Sequence, residues 1–147
     1  MAERQGINGM ARWRGAALER LPELRQLIVE AETVLSLWIE LIAAFEDAYR
    51  REPRDESMIA RIYSYADWCV RAPRRPEPGH DPFSAVVVSF YEDVPHFPPA
   101  REDMPRWFRY SEVANNKQTF AYMIGDAAYE ELVRHMAKNR GRYRPRD

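Results

Sequence analysis

Apolar residues recur at helical spacing along most of the chain, and this pattern predicts helices rather than strands. Between Leu21 and Arg51 the apolar positions stay nearly in phase with a period of 3.6 residues. A single helix over this segment would be about 45 Å long, which is long for a small domain. Because Thr33 and Ser36 can each act as an N-cap, we predict two helices that separate near residues 32–34.

Two further segments carry helix-start signals. Asp55 precedes an amphipathic run that reaches about Arg71, and Asp81 precedes a proline, Pro82, at the first helical position. We predict a helix after each aspartate. A buried strand is the alternative for the segment after Pro82, because three consecutive valines there favour β structure.

Proline-rich stretches predict loops between the helices, at residues 72–80 and again at residues 95–104. Beyond the second loop, Ser111 is expected to cap a helix that Gly125 ends, and Asp126 to cap the last helix. The whole pattern predicts an all-α fold of six to seven short antiparallel helices.

Helix pairs joined by tight turns are typical of α-α superhelices of the armadillo or HEAT type. We therefore predict an armadillo-like arrangement, with a compact helical bundle as the alternative. The expected organisation has three parts: a loosely ordered arm over residues 1–20, a single helical domain over residues 21–138, and a basic tail over residues 139–147.

Composition limits the class of protein. The 147 residues have a formal net charge of −1, so no overall positive field favours nucleic acid. The single cysteine, Cys69, excludes an intramolecular disulfide. No run of 18 apolar residues is present, and no apolar signal core follows the first arginines. We expect a cytoplasmic protein with no membrane segment.

Motifs for common chemistries are missing. The chain has no glycine-rich phosphate loop, no H-E-x-x-H, no G-x-S-x-G and no C-x-x-C. The three histidines, His80, His96 and His135, form no i, i+4 ligand pair. We predict no catalytic residue, no metal and no cofactor. An enzyme or small-ligand site between helices is the alternative, and it would require convergence of His80, His96, Glu40, Tyr91 or Arg106.

Aromatic residues gather in two places, and these are the candidate partner-binding residues. One group comprises Trp38, Tyr65 and Trp68, and the other comprises Arg106 and Trp107. Trp and Arg dominate the energetics of protein interfaces. On a helical wheel, Trp68 falls outside the apolar arc, beside Arg61. The alternative for both groups is packing in the core.

The basic tail carries four arginines and Tyr143 between Asn139 and Arg146. It could bind nucleic acid weakly through backbone phosphates. No basic patch elsewhere in the sequence extends it, so we regard nucleic acid as disfavoured and expect a solvated, frayed tail.

Several strings together resemble a small family of uncharacterised bacterial proteins with armadillo-like helical folds. They are Leu37-Trp38-Ile39-Glu40-Leu41, Tyr63-Ser64-Tyr65-Ala66-Asp67-Trp68-Cys69, Ser89-Phe90-Tyr91-Glu92 and Met104-Pro105-Arg106-Trp107. The resemblance covers about residues 20–137 and implies an α-α superhelix without an assigned activity.

The resulting hypothesis is a non-catalytic, regulatory module of bacterial origin that binds a protein or peptide partner. The sequence is also compatible with a homodimer. The two alternatives are a pocket for a small ligand or substrate between helices, and weak nucleic-acid binding by the tail.

Overall fold

A computed structural model describes residues 11–145, and every regular element in this range is helical. The all-α prediction is therefore confirmed. Nine α-helices lie in the described range: α1 (Arg12–Arg20), α2 (Arg25–Glu30), α3 (Val34–Arg50), α4 (Glu56–Arg71), α5 (Pro82–Ala85), α6 (Pro98–Trp107), α7 (Tyr110–Ala114), α8 (Lys117–Phe120) and α9 (Gly125–Lys138). Short 3-10 turns lie at Pro22–Leu24, Val94–His96 and Arg140–Arg142, and a π-helix spans Val86–Tyr91.

The chain forms two compact units, which meet in sequence between Val86 and Val87. The first unit contains α1 to α5, and the second contains α6 to α9. The single domain predicted over residues 21–138 stays a prediction. No helix between residues 11 and 145 combines the length and the apolarity needed to cross a bilayer.

The break predicted between two helices near residues 32–34 is confirmed. Helix α2 ends at Glu30 and α3 begins at Val34. The hydroxyl of Thr33 accepts a hydrogen bond from the backbone N–H of Ser36 at 3.0 Å, and Thr33 N donates to Ser36 Oγ at 3.1 Å. These reciprocal bonds satisfy backbone donors that a helix start leaves without partners.

The other two predicted caps of the first unit are also present. Asp55 Oδ1 accepts from Met58 N at 3.0 Å at the start of α4, and Asp81 Oδ2 accepts from Ser84 N at 3.3 Å at the start of α5. The loop between these helices returns to α3, since Gly79 O accepts from Leu35 N at 3.1 Å. Gly79 has a positive φ of 79°, which an L side chain rarely adopts.

The loose arm predicted for residues 1–20 is wrong where the structure describes it. Residues Arg12–Arg20 form α1, while residues 1–10 lie outside the described range. Trp13 is buried, and its carbonyl accepts a hydrogen bond of 2.9 Å from the hydroxyl of Tyr65 on α4. Burial of this face holds α1 in place, although its sequence shows no clean helical period.

The loop predicted for residues 95–104 is also wrong, because α6 begins at Pro98. Pro98 and Pro99 occupy the first turn, where a helix needs no donor from these positions. Ala100 and Met104 then bury one face of α6. The proline-rich composition marked the start of a helix here rather than a loop.

The helix predicted from Ser111 to Gly125 is interrupted. It consists of α7, which begins at Tyr110, and of α8, with Asn116 at the junction. Gly125 has a positive φ of 85°, which allows the chain to change direction at the start of α9. Three features explain why the predicted count of six to seven helices was too low. They are the presence of α1, the presence of α6, and the division of one predicted helix into α7 and α8.

Candidate functional site

The first predicted recognition group lies in the core of the first unit. Trp38 and Tyr65 are both 0% exposed, and their rings stack with centroids 5.4 Å apart. Burial raises the pKa of Tyr65 well above its ordinary value. The proposal that these two side chains contact a partner is therefore corrected: neither has surface to offer.

Trp68 lies at the edge of the same stack and is half-buried, with its ring 6.0 Å from that of Tyr65. Arg61, which the helical wheel places beside Trp68, forms an ion pair with Glu23. Arg61 Nη1 donates to Glu23 Oε1 at 2.7 Å, and Arg61 Nη2 donates to Glu23 Oε2 at 2.5 Å. Trp68 stays a candidate, but its neighbour Arg61 does not form the predicted Trp–Arg pair with it.

The second predicted group, Arg106 and Trp107, converges on a buried carboxylate. Asp103 is 4% exposed. Arg106 Nε donates to Asp103 Oδ1 at 2.7 Å and Arg106 Nη2 to Oδ2 at 2.6 Å, while Trp107 Nε1 donates to Oδ2 at 3.2 Å. Such forked guanidinium–carboxylate pairs are strong and directional. Both residues therefore bind Asp103 at the end of α6, and their role as partner-binding residues stays a prediction.

The same carboxylate holds the basic tail, which is not frayed over its described part. Arg142 Nη2 donates to Asp103 Oδ1 at 3.2 Å, and Arg144 N donates to Arg106 O at 3.3 Å. We call residues 139–145 the strap. The frayed-tail prediction is wrong for the strap because Asp103 provides a buried counter-charge that the sequence did not reveal.

Docking of the strap creates a cleft in the second unit, which we call the Arg–Tyr cleft. Its volume is about 330 Å³, and its walls carry Arg109, Tyr110, Ser111, Arg140 and Tyr143. Its floor consists of the buried side chains of Pro105, Phe108 and Met136. The volume lies at the lower end of the roughly 300–1,000 Å³ that is usual for ligand pockets.

Two arginine–tyrosine pairs cross the cleft in opposite directions. The Arg140 guanidinium of the strap lies 4.0 Å from the ring centroid of Tyr110, and the Arg109 guanidinium lies 5.3 Å from the ring centroid of Tyr143 in the strap. Both arginines are exposed. Among residues 11–145, no carboxylate forms an ion pair with either guanidinium, so within this range both positive charges at the cleft lack a counter-ion.

The arrangement can hold a group that is apolar at one end and anionic at the other. Guanidinium groups recognise carboxylates through paired N–H donors, and the tyrosine rings keep the guanidinium planes in position. Sequence reasoning singled out residues 106–110 and the tail separately. It did not predict that these two segments contact each other, since about thirty residues separate Tyr110 from Arg140 and no local pattern links them.

A larger cavity of about 630 Å³ lies in the first unit and is bordered by acidic side chains. Leu27, Glu30, Glu32 and Glu40 line it together with Gln26, Ala31 and Ser36. None of its lining residues is buried, so it lacks an apolar floor. We therefore regard the Arg–Tyr cleft as the better candidate site.

The enzyme alternative finds no convergence within either unit. In the first unit, Glu40 lines the acidic cavity, whereas His80 lines a separate cavity beside Trp13. In the second unit, His96 is exposed and Arg106 binds Asp103. Among residues 11–145, no three histidine, cysteine or carboxylate side chains come together as a metal site.

Cys69 lies in the core of the first unit and is 0% exposed. Its sulfur accepts a hydrogen bond of 3.5 Å from Trp38 Nε1. Burial raises the pKa of the thiol to about 12. The thiolate, which is the reactive form, is therefore disfavoured near neutral pH.

No protein-family model matches the chain, and comparisons with curated proteins and with solved structures also give no match. The family that the sequence resembles is therefore supported only in its helical character. The site stands on its own geometry.

Proposed function

We propose that the protein is a non-catalytic interaction module, and that the Arg–Tyr cleft binds a short acidic segment of a partner protein. One observation carries this proposal. Two exposed guanidiniums, Arg109 and Arg140, flank a buried apolar floor and have no carboxylate partner among residues 11–145. An aspartate- or glutamate-rich segment with one apolar side chain would supply what the cleft lacks.

Charge and stacking favour a peptide over nucleic acid. Nucleic-acid sites need a track of cations along the phosphate backbone and open aromatic faces for the bases. Here a guanidinium already covers one face of Tyr110 and of Tyr143. The formal net charge is −1, so the chain as a whole has no positive field that attracts nucleic acid.

The proposal also includes the location, the regulatory role and the type of helical fold that the sequence predicts. We propose a cytoplasmic, regulatory protein with an armadillo-like succession of helix pairs, because such folds commonly present a surface to a protein or peptide. The short turns between consecutive helices, such as that between α2 and α3, support this arrangement.

Isothermal titration with a defined probe tests the proposed function. The probe is the capped peptide acetyl-Asp-Glu-Phe-Asp-Glu-amide, and its control is the uncharged peptide acetyl-Asn-Gln-Phe-Asn-Gln-amide. We expect the acidic peptide to bind and the amide peptide to bind about 10-fold or more weakly, because the guanidiniums lose their charged partners.

Matched variants locate the binding. Arg140→Gln is expected to weaken peptide binding about 10-fold through loss of one charge-assisted contact. Arg134→Gln removes an equally exposed charge from α9, outside the residues that line the cleft, and should leave affinity unchanged. Equal effects of the two variants would overturn the assignment of the site.

Two other probes define the competing outcomes. Binding of phenylpropionate as tightly as the acidic peptide would show a small-ligand site and contradict an interaction module. If a uridine 20-mer binds and the peptide does not, the interaction module is contradicted and the protein is a nucleic-acid binder.

A further inference from the structure

The strap supplies one arginine and one tyrosine to the Arg–Tyr cleft. Arg109 directly precedes α7 and Tyr110 begins it, whereas Arg140 and Tyr143 come from the strap. Both cation–π pairs cross from one side to the other. Both arginine–tyrosine pairs of the cleft therefore require a docked strap.

The strap is fastened outside the cleft, at Asp103. Arg142 Nη2 donates to Asp103 Oδ1 at 3.2 Å, and Arg142 Nη1 donates to Glu102 O at 3.5 Å. Arg142 lies outside the set of residues that line the cleft, as does Asp103. Among residues 11–145, this is the ion pair that joins the strap to α6.

The setting of Asp103 makes this fastening effective. Its side chain is 5% exposed, so water screens the ion pair less than it screens a surface pair. Two donors on α6, Arg106 and Trp107, hold the carboxylate in one orientation. The acceptor for Arg142 is thereby fixed in position before the strap docks.

We infer that Asp103 is a positioning residue for the Arg–Tyr cleft: through Arg142 it holds the strap closed, and so it sets the affinity of the cleft for its acidic ligand. This inference rests on the proposed function. It names the device that assembles the site, and it predicts that affinity changes when the fastening is altered at a residue that does not line the cleft.

Arg142→Gln is the suitable variant, because Asp103 then keeps Arg106 as its counter-charge and the fold is not left with an uncompensated buried carboxylate. Arg144→Gln is the matched control. Within the described range, the Arg144 guanidinium donates to carbonyls of the strap, at Gly141, Arg142 and Tyr143. Both variants remove one charge from the same short segment.

The first measurement needs no ligand. Amide hydrogen exchange over residues 140–144 should accelerate about 10-fold in Arg142→Gln as the strap opens more often, and remain near wild type in Arg144→Gln. Unchanged exchange in Arg142→Gln would overturn the inference.

The second measurement is affinity for acetyl-Asp-Glu-Phe-Asp-Glu-amide. Arg142→Gln should weaken binding about 3- to 10-fold, since the binding-competent state is less populated. Arg142→Lys, which keeps the charge, should recover part of the loss, whereas a purely structural role for the guanidinium would give no such rescue.

The outcomes separate the two proposals. If wild-type protein does not bind the peptide, the proposed function fails, and hydrogen exchange alone still decides whether Arg142 fastens the strap. If wild type and Arg142→Gln bind equally well although exchange accelerates, the inference fails and the proposed function stands. Tighter binding by Arg142→Gln would overturn the inference, because the strap would then cover the cleft.

Discussion

The role of a single residue here depends on partners both near to it and far from it in the chain. Asp103 belongs to one of several pairs of adjacent acids, Glu102-Asp103, which resemble solvated surface carboxylates in the sequence. It is instead the buried acceptor for Arg106, Trp107 and Arg142. Glu23 shows the same effect at the surface, where Arg61 binds both of its carboxylate oxygens.

The pair of Glu23 and Arg61 predicts a measurable dependence of stability on pH. The hydrogen bond from Arg61 lowers the pKa of Glu23 from its ordinary value of 4.5 to about 2. The ionised form is therefore favoured in the folded state, and its stabilising effect is complete above the unfolded pKa. It is lost as pH falls from about 5 toward 2, because the unfolded chain takes up the proton first.

We expect Glu23→Gln to be less stable at pH 7 by about 0.5 to 1 kcal/mol, since the pair is partly exposed and screened by water. Its stability should also fall less steeply than that of wild type between pH 5 and pH 2. Urea unfolding followed by circular dichroism at several pH values measures both effects. Arg61→Gln should reduce the loss of stability between pH 5 and pH 2 in the same way. A loss as steep as that of wild type in either variant would contradict the assignment.

At the scale of elements, side-chain caps mark the starts of α3, α4 and α5, whereas packing positions a helix such as α1 that lacks a cap. Helix α1 has no side-chain cap, yet its buried Trp13 attaches it to α4 through Tyr65. A second bond joins the same helices, from Arg20 Nε to Ser64 Oγ at 3.2 Å. The pattern of residues 11–20 alone could not predict a helix that depends on these contacts.

Tyr65→Phe tests how α1 is held. Loss of the hydroxyl leaves the buried carbonyl of Trp13 without this donor, and we expect a loss of about 1 to 2 kcal/mol in the free energy of unfolding. Hydrogen exchange should accelerate more in α1 than in α3. Tyr122→Phe, at a tyrosine that is 70% exposed, should stay within about 0.5 kcal/mol of wild type, and an equal loss there would refute the prediction.

At the scale of the whole molecule, the net charge of −1 does not show that the arginines of the strap have different partners. Of the strap arginines, Arg142 is bound to Asp103 and Arg144 to carbonyls of the strap. Arg140 lies on Tyr110 at the cleft. The described part of the basic tail is therefore largely bound within this chain, and of its arginines Arg140 is the one that lines the cleft.

This use of charge predicts negligible nucleic-acid binding at about 0.15 M salt, because too few cations remain to displace a row of counter-ions. Fluorescence anisotropy with a labelled uridine 20-mer and a 20-base-pair DNA duplex measures it. A salt-dependent affinity that disappears on deletion of residues 139–147 would contradict the prediction and restore the tail as a nucleic-acid arm.

Local chemistry was enough to establish the all-α class and several helix starts. Thr33, Asp55 and Asp81 cap helices through donors no more than three residues away, so their effect is visible in the sequence. Prolines were less informative, because Pro98 suits the first turn of a helix as well as a loop.

The candidate site depended on the three-dimensional fold. Burial of Trp38 and Tyr65, and the meeting of Tyr110 with Arg140, result from contacts between segments about 30 residues apart in the chain. Hydrophobic burial responds to the sum of all neighbouring surfaces, and an ion pair responds to whichever counter-charge the fold brings near. Neither quantity is contained in a local pattern, so sequence located the aromatic and arginine clusters, and packing determined which of them face solvent.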